Sequence, residues 1–278
     1  MRIEAGQVAA ITGGGSGIGR ALALACADRG LAVAIGEVEA AAAEQTVAMI
    51  AARGARAFSQ ALDVTRPEQV EGFAARTFAE LGGCNLFCNN AGVLVLGPLL
   101  EATPADWKWV LDVNLFGVVH GIDAFLPRML AAGAPGHILN SVSLRGIAAS
   151  ARCGVYAASK FGALGLTETL HAELADTPIG VTALCPWSVN TAIVASERNR
   201  PAGESGMSDE AVQALIDAAP VSNITIEADQ VAMLALEAVE DGELYAITHP
   251  CAHDLLKQRF DAIMGSLERL RRRHPELP

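Results

Sequence analysis

Positive charge is scarce in this chain of 278 residues, in which 20 Lys and Arg face 31 Asp and Glu for a formal net charge of −11. This balance disfavours nucleic acid and anionic membranes as main partners. The sequence also lacks an apolar run long enough to span a bilayer, and its first residues contain no signal-peptide core. We therefore expect a cytoplasmic protein with no nucleic-acid partner and no membrane partner.

A disulfide framework is missing as well. The cysteines show neither framework spacing nor a Cys-x-x-Cys pair, so reduced thiols are expected at Cys26, Cys84, Cys88, Cys153, Cys185 and Cys251. His249, Cys251 and His253 superficially resemble metal ligands, but no second cluster completes a set of four. No metal is expected, and no His spacing supports Cys153 as a nucleophile.

Repeats, low-complexity tracts and linkers are absent before about residue 186. Hydrophobic residues make up 51% of the chain and charged residues 18%, which argues against disorder. The length allows one large α/β domain or two small ones. We predict a single domain over residues 1–278.

The chain instead shows a regular alternation of short β-rich runs and longer helical stretches. Strands are predicted at residues 8–12, 32–37, 57–62, 86–89, 137–142 and 181–185. Helices are predicted at residues 19–29, 40–52, 68–81, 104–131 and 155–175. Apolar strands alternating with helices imply a parallel sheet covered on both faces. Right-handed crossovers make this a doubly wound Rossmann fold, whose ligands bind at the carboxyl ends of the strands.

The segment from about residue 187 to 226 breaks this alternation, because it is rich in loop residues and contains no predicted strand. Its place after the carboxyl end of a strand favours a lid-like substrate loop with short helices. A helix at 228–239 and a strand at 244–248 follow. An additional amphipathic helix is predicted at about 252–273.

A glycine-rich turn at residues 12–19 lies between the first predicted strand and the first helix. Its spacing is Gly13-x-x-x-Gly17-x-Gly19, and such glycines let the backbone approach a pyrophosphate at a helix N-terminus. A glycine-rich turn by itself could be only a turn, but the strand–turn–helix setting favours a dinucleotide. Glu37 ends the second strand, where a carboxylate can accept hydrogen bonds from both adenosine ribose hydroxyls and repel a 2′-phosphate.

The cofactor predicted from these residues is NAD, in preference to NADP. Ser16 supplies no cation to compensate a 2′-phosphate, and Arg20 is the nearest basic residue. A solvated acid that starts the next helix stays open as the alternative for Glu37. Residues 63–64 and 89–92 end the third and fourth strands and could flank the adenine and its ribose, although each is also an ordinary turn sequence.

Tyr156 and Lys160 are four residues apart, so they share one face of a helix. A free phenol titrates near pH ~10, and a nearby positive charge lowers the phenol pKa toward the range of a general acid/base. The pair alone occurs by chance on many helices. Ser143 lies thirteen residues upstream of Tyr156 and can supply the oxygen-directed hydrogen bond that hydride transfer at a carbonyl needs.

With Asn114, these motifs resemble the short-chain dehydrogenases/reductases, in the family's order, over about residues 7–186. The resemblance implies that Tyr156 exchanges a proton with the substrate oxygen, while Lys160 lowers the Tyr156 pKa and hydrogen-bonds the nicotinamide ribose. It also implies that Ser143, rather than the competing Ser141, polarises the substrate oxygen and that Asn114 holds a water linking Lys160 to solvent. Alone, Ser143 could be a strand-end cap and Asn114 a satisfied helix amide. The residues predicted to hold the cofactor are Gly13, Ser16, Gly17, Ile18, Gly19, Glu37, Asp63, Val64, Asn90, Ala91, Gly92, Tyr156, Lys160, Pro186, Val189 and Thr191.

Two positions near the predicted site depart from the family pattern. Pro186 is followed by Trp187 where the family usually has glycine, and the indole could narrow the site, stack on a ring or shift the loop. Arg145 follows Ser143 where small residues are common, and it could reach a substrate anion or be simply exposed or salt-bridged. The predicted substrate pocket consists of Leu94, Val95, Leu144, Arg145, Cys153, Trp187 and Val194.

The ending of the chain is similar to that of bacterial family members acting on bulky aromatic or otherwise lipophilic secondary alcohols, such as relatives of lignin-derived aryl-ether Cα-dehydrogenases. The resemblance implies an NAD-dependent oxidoreductase that interconverts a secondary alcohol and a ketone. Two alternatives stay open: a catalytically idle NAD(H)-binding sensor or interaction module, and an epimerase or dehydratase on the same fold. The resemblance also implies a homodimer or homotetramer, because family members commonly pair the helices that correspond to 104–131 and 155–175, although small residues on these helices could equally pack against the chain's own sheet.

Overall fold

The computed structural model describes residues 1–201, 208, 210, 211, 213, 214 and 224–278. Its strands are β1 (Val8–Thr12), β2 (Ala32–Glu37), β3 (Ala57–Ala61), β4 (Leu86–Asn89), β5 (Gly136–Ser141), β6 (Ile179–Cys185), β7 (Val189–Asn190), β8 (Ile226–Glu227) and β9 (Tyr245–Ile247). Seven of them form one sheet in the order β3-β2-β1-β4-β5-β6-β9. Every pairing in that sheet is parallel, which confirms the predicted doubly wound fold.

Helices cover both faces of the sheet. They are α1 (Gly17–Asp28), α2 (Ala40–Ala51), α3 (Pro67–Leu81), α4 (Pro104–Leu111), α5 (Gly117–Ala132), α6 (Gly154–Glu173), α7 (Ala228–Asp241) and α8 (His253–Arg273). Apolar residues of α1, α2 and α7 pack on one face of the sheet, and those of α3, α5 and α6 pack on the other. Because the strands are covered on both sides, β1 and β2 are buried along their whole length.

The strand order places a crevice above the centre of the sheet. β1 has β2 on one side and β4 on the other, so the loops after β1 and β4 leave the sheet in opposite directions. Gly13 and Asn90 belong to these two loops. The predicted cofactor and catalytic residues therefore meet at the carboxyl ends of the central strands.

The helix predicted at 104–131 is interrupted, which corrects that prediction. A π-helical turn, Asp112–Phe116, lies between α4 and α5, and the buried Asn114 is at its centre. The Asn114 amide exchanges two hydrogen bonds with the backbone of Val93, a contact that the helical pattern does not reveal. By length and composition the helical run Pro104–Ala132 could cross a membrane, contrary to the sequence expectation, but half of its apolar window is buried within the fold.

The segment at 187–226 contains two strands, although none was predicted there. β7 and β8 pair in parallel through Val189 with Ile226 and Asn190 with Glu227. Between them, Ala192–Asn199 forms a 3-10 run. The rest of the predicted lid, at residues 202–207, 209, 212 and 215–223, lies outside the described residues.

The predicted additional helix at the end of the chain is confirmed as α8. This helix has no buried residue. Its apolar side chains are exposed in a stripe at helical spacing, formed by Phe260, Ile263, Met264, Leu267 and Leu270. The helix therefore contributes little to the core.

Candidate active site

The glycine-rich turn forms a tight cradle between β1 and α1. Gly13 has a φ of +67°, and a Cβ at this position would come within 2.8 Å of the Ala91 Cα. A Cβ at Gly19 would come within 2.1 Å of the Gly13 carbonyl oxygen, so Gly19 packs beneath the turn. Ser16, the N-cap of α1, makes no side-chain cap hydrogen bond. The first backbone N–H groups of the helix thus stay available to an anion.

The loop after β4 is fastened to this turn by two side chains. The Asn90 side-chain amide donates to the carbonyl oxygens of Thr12 and Gly13, each at 3.2 Å. The Thr12 hydroxyl oxygen accepts from the backbone N–H groups of Asn90 and Ala91, at 3.0 and 3.1 Å. These bonds hold both walls of the crevice at one separation, which a rigid dinucleotide site requires.

Glu37 is buried at the end of β2 and lines the cavity, so it is not a solvated acid at the start of a helix. Its Oε2 accepts from the backbone N–H of Gly15 at 2.9 Å, and its Oε1 accepts from that of Val38 at 2.8 Å. The Arg20 guanidinium bonds instead to the Gly15 carbonyl oxygen and to Gln45 and Thr46. The end of β2 therefore presents the Glu37 carboxylate beside the glycine-rich turn at this end of the crevice.

The two halves of the site share one cavity of about 990 Å³. With the exception of Gly19, all the residues predicted to hold the cofactor line it: Gly13, Ser16, Gly17, Ile18, Glu37, Asp63, Val64, Asn90, Ala91, Gly92, Tyr156, Lys160, Pro186, Val189 and Thr191. Gly19 is buried under the turn, where it makes room for the Gly13 carbonyl. The residues present fit a dinucleotide: a Cβ would fill the cradle at Gly13 and Gly17, and open N–H groups lie beside it.

The predicted catalytic hydroxyls and ammonium are brought together at the other end of this cavity. Ser143, Tyr156 and Lys160 are all buried and line it. Ser143 lies close enough to the Tyr156 phenol to lower its pKa. The Lys160 Nζ lies 5.7 Å from the centre of the Tyr156 ring and donates to the Ser141 carbonyl oxygen at 2.8 Å. The Ser141 hydroxyl donates to the Asn90 Oδ1, so Ser143 is the serine that faces the phenol.

Burial shifts the pKa values of both Tyr156 and Lys160. For the Tyr156 phenol the shift is upward, opposite to the lowering predicted from the sequence. Burial raises the pKa of Tyr156 to about 12, although the neighbouring Ser143 and the charge of Arg145 lower it. Burial also lowers the pKa of Lys160 to about 8. Removing the phenol from water thus outweighs the neighbouring groups in this structure. Sequence spacing could not show this, because it reports neighbours along the helix and not burial.

Asn114 lies in the π-helical turn, behind Lys160. Its Oδ1 accepts from the Val93 N–H at 2.8 Å, and its Nδ2 donates to the Val93 carbonyl oxygen and to the Ser159 hydroxyl. A Cβ built at Gly92 would lie 3.4 Å from the Asn114 Oδ1 and 3.6 Å from the Lys160 Nζ. Both polar atoms therefore border the space beside Gly92. The water predicted to link them stays a prediction.

Of the seven residues predicted for the substrate pocket, five line the cavity and two do not. Leu94, Arg145, Cys153, Trp187 and Val194 line the cavity. Leu144 is fully buried in the turn after β5, and Val95 packs in the separate cluster around Trp109 and Val155. Side chains alternate along extended chain, so Leu96 rather than Val95 accompanies Leu94 in the cavity lining. That alternation was the signal available in the sequence.

Residues 192–201, a part of the predicted lid-like loop that is here called the strap, line one side of the cavity, and sequence reasoning missed the contacts that hold them. The Ser196 hydroxyl exchanges hydrogen bonds with the backbone of Leu94. Arg198 and Asn199 both bond to the Glu39 carboxylate, at 2.9 and 3.0 Å. The strap thus joins the β4 loop to the β2 loop, and it places a guanidinium in the cavity lining near Glu37. No local pattern connects residues so far apart in sequence.

The strap has a further buried anchor at its end. The Arg200 side chain pairs with Asp106 at 2.8 Å and with Glu197 at 2.6 Å, and its guanidinium lies 4.4 Å over the Trp109 ring. Burial raises the pKa of Asp106, but hydrogen bonds from Thr103 and the nearby Arg200 guanidinium outweigh burial and hold that pKa below its ordinary value. Since both charges are largely withdrawn from water, separating the pair would be strongly destabilising.

Trp187 lines the cavity and is held there by His249. Its backbone N–H donates to the His249 Nδ1 at 3.3 Å, and the His249 Nε2 donates to the Ser188 carbonyl oxygen at 3.0 Å. His249 is therefore neutral, with its proton on Nε2, and burial lowers its pKa. It positions the loop after β6. Within the described part of the chain, no three His, Cys, Asp or Glu side chains form a metal-binding group.

Comparison with known proteins places this geometry in a family. The profile described as short chain dehydrogenase matches residues 7–202. A Cα-dehydrogenase of Sphingobium sp. is 35% identical over 94% of this chain and 86% of its own length. A 1-deoxy-11-beta-hydroxypentalenate dehydrogenase of Streptomyces exfoliatus is 32% identical over 98% of this chain and 90% of its own.

A solved structure agrees with these sequence relatives. The short chain dehydrogenase/reductase of Burkholderia phymatum in complex with NAD superposes with a TM-score of 0.89 at 34% identity, covering 96% of this chain and 97% of that one. The glycine turn, the buried Ser–Tyr–Lys group and these likenesses all lead to one assignment. The chain belongs to the short-chain dehydrogenase/reductase family and is an oxidoreductase.

Proposed function

We propose that this protein is an NAD-dependent dehydrogenase that interconverts a secondary alcohol and a ketone with a bulky hydrophobic or aromatic body. The observation that carries the proposal is the shared cavity, which has the glycine turn at one end and Ser143, Tyr156 and Lys160 at the other. The named activities of the Sphingobium and Streptomyces relatives support a secondary-alcohol substrate.

Each residue of the catalytic group has a separate task in this proposal. The nicotinamide, when bound, accepts or supplies the hydride. Tyr156 takes the hydroxyl proton in oxidation and returns it in reduction, and Ser143 donates a hydrogen bond to the same substrate oxygen. Lys160 holds a positive charge near the phenol and reaches the cofactor ribose. Asn114 supports Lys160 from the π-helical turn.

NAD is favoured over NADP because Glu37 is buried at the end of β2 and lines the cavity. A carboxylate there attracts the ribose hydroxyls and repels a 2′-phosphate. Arg198 also lines the cavity, but its guanidinium is paired with Glu39. The Burkholderia structure, which contains NAD, supports the same choice.

We also propose a cellular compartment, an oligomeric state and a class of partner for this enzyme. We place it in the cytoplasm as a homodimer or homotetramer of single-domain subunits, with a small-molecule substrate and no nucleic-acid or membrane partner. Pairing of α5 and α6 between subunits would build the oligomer.

Absorbance at the NADH band tests the proposal. Wild type and Tyr156→Phe are screened with secondary alcohols from small aliphatic to bulky aromatic, with NAD and NADP in parallel. We expect turnover with NAD that Tyr156→Phe abolishes. Tight NADH binding without turnover of any alcohol or matching ketone would instead identify a sensor module, and a cofactor retained through purification would favour an epimerase or dehydratase.

A further inference from the structure

The Arg145 side chain lines the cavity and has no ion-pair partner among the described residues. It follows Ser143 in the turn after β5 and is half-buried. Its side chain makes one long hydrogen bond, to the Ala148 carbonyl oxygen at 3.4 Å. Among the described residues, no carboxylate lies within ion-pair distance of it, whereas Arg198, the strap guanidinium that also lines the cavity, is paired with Glu39.

The Arg145 side chain is held in place by Trp187. Its guanidinium carbon lies 5.7 Å from the centre of the indole ring. A guanidinium packed over an aromatic face keeps the N–H groups at its edge available, and these groups match the two oxygens of a carboxylate. The indole Nε1 is buried and also has no hydrogen-bond acceptor among the described residues.

The position of Arg145 is close to the reacting atoms. Both Arg145 and Tyr156 line the cavity, and the Arg145 charge acts on the Tyr156 phenol. Apolar side chains form the adjoining wall, among them Leu94, Leu96 and Val194. A ligand seated here would have its hydrocarbon body against that wall and an anionic group at the guanidinium.

The rest of the molecule would repel such an anion. The formal net charge of the chain is −11, so an anionic ligand needs a local cation that is not already neutralised. Leaving a half-buried guanidinium unpaired is unfavourable by itself, which gives a carboxylate ligand a binding energy that a neutral one lacks.

We propose that Arg145, backed by Trp187, binds a carboxylate on the substrate, so that the enzyme acts on lipophilic hydroxy acids and keto acids. This inference rests on the proposed function, since it names the substrate class of the same site. It resolves the alternatives for Arg145 in favour of a substrate anion.

Matched acid and ester substrates test the inference. NADH formation is measured with 4-hydroxy-4-phenylbutanoate and with its methyl ester, on wild type, Arg145→Gln and Arg271→Gln. We expect a lower KM for the acid in wild type, and a rise of roughly 10- to 100-fold in that KM for Arg145→Gln with little change in the ester KM. Any effect of Arg145 on the Tyr156 pKa changes both substrates alike, so the acid-to-ester ratio isolates the binding role.

Arg271→Gln is the charge-matched control, because Arg271 is exposed on α8 and is not among the residues that line the cavity. It should keep the acid preference. Equal KM values for acid and ester in wild type, or a preference that Arg145→Gln retains, would overturn the inference and leave the proposed function intact.

A second measurement separates the two claims if neither compound is turned over. Calorimetric titration with 4-oxo-4-phenylbutanoate and its methyl ester, in the presence of NADH, reports binding without chemistry. Tighter binding of the acid to wild type than to Arg145→Gln would support the carboxylate subsite, and equal binding would reject it. Loss of turnover with every alcohol of the wider screen counts against the proposed function alone.

Discussion

Ser143 has a backbone φ of +134°, a value that residues other than glycine rarely adopt. Such a conformation stores strain that the surrounding structure must hold. Here the holding contacts are hydrogen bonds at Ser143 Oγ, which accepts from the Arg145 N–H at 3.1 Å and donates to the Pro186 carbonyl at 3.4 Å. The strain is therefore located at the residue that we expect to polarise the substrate.

Comparing Ser143→Gly with Ser143→Ala should separate the effect of backbone strain on stability from the effect of the hydroxyl on kcat. Both variants lose the hydroxyl, so kcat should fall about 100-fold in each. Only glycine relieves the strain, so Ser143→Gly should be more stable than Ser143→Ala by about 1 kcal/mol in denaturant unfolding. Equal stabilities would show that the φ angle carries no strain.

Lys160→Met should move the pH dependence of alcohol oxidation. At neutral pH the Lys160 amine, whose pKa burial lowers to about 8, is still mostly protonated. Its charge favours the phenolate, so alcohol oxidation should speed up with rising pH, and removing the charge should shift this rising limb of kcat/KM to higher pH. An unshifted limb in the Met variant would remove Lys160 from that role.

Residue spacing singled out Ser143, Tyr156 and Lys160, which lie together in the structure, because these three residues are close in sequence. It did not locate Arg198 or Arg200, whose partners Glu39 and Asp106 lie far away along the chain. It also gave the wrong direction for the Tyr156 pKa, since burial depends on the whole fold. Local pattern identifies chemistry; tertiary packing sets its energetics.

At the scale of elements, the strap is held over the cofactor end of the cavity by Glu39. Glu39→Gln would remove the ion pair with Arg198 and weaken the bond to Asn199. Because such partly exposed pairs are worth less than about 1 kcal/mol, we expect NADH release to become roughly two- to fivefold faster in stopped-flow fluorescence. Glu44→Gln, an exposed change on α2, is the control. Unchanged release in Glu39→Gln would show that the strap does not retain the cofactor.

The strands and most helices were predictable because their apolar periodicity is strong, with β1, β2 and β4 at the predicted residues. The π-helical turn was not, since it depends on Asn114 reaching the Val93 backbone. β7 and β8 were missed for a similar reason. Each has two residues, and only their pairing with one another makes them strands.

At the scale of the whole molecule, buried His137 links stability to pH. Burial lowers its pKa to about 3, and its Nε2 bonds to the Thr182 hydroxyl at 2.8 Å. With an unfolded pKa near ~6.5, the unfolded chain binds the proton first, so stability is lost as pH falls from about 6.5 toward 3.

His137→Gln should remove much of this acid sensitivity. We expect the wild type to lose about 3 kcal/mol of unfolding free energy through this residue between pH 7 and pH 4. The Gln variant should lose correspondingly less, as measured by urea unfolding at both pH values. The exposed His253→Gln should behave as wild type. An equal acid loss in His137→Gln would place the proton uptake elsewhere.

The central position of β1 in the sheet has a consequence for synthesis on the ribosome. β1 emerges first, and β2 and β3 can join it on one side as they follow. The other edge of β1 stays unpaired until β4 has been synthesised, which happens only after α2 and α3 have been made. During that interval the nascent chain exposes the edge of a strand that is apolar except for Thr12, the kind of surface that promotes association with other chains. The interval ends when β4 pairs with β1 and the Asn90 side-chain amide donates to the Gly13 carbonyl oxygen. The nascent chain therefore completes its dinucleotide crevice and covers the exposed edge of β1 in the same step.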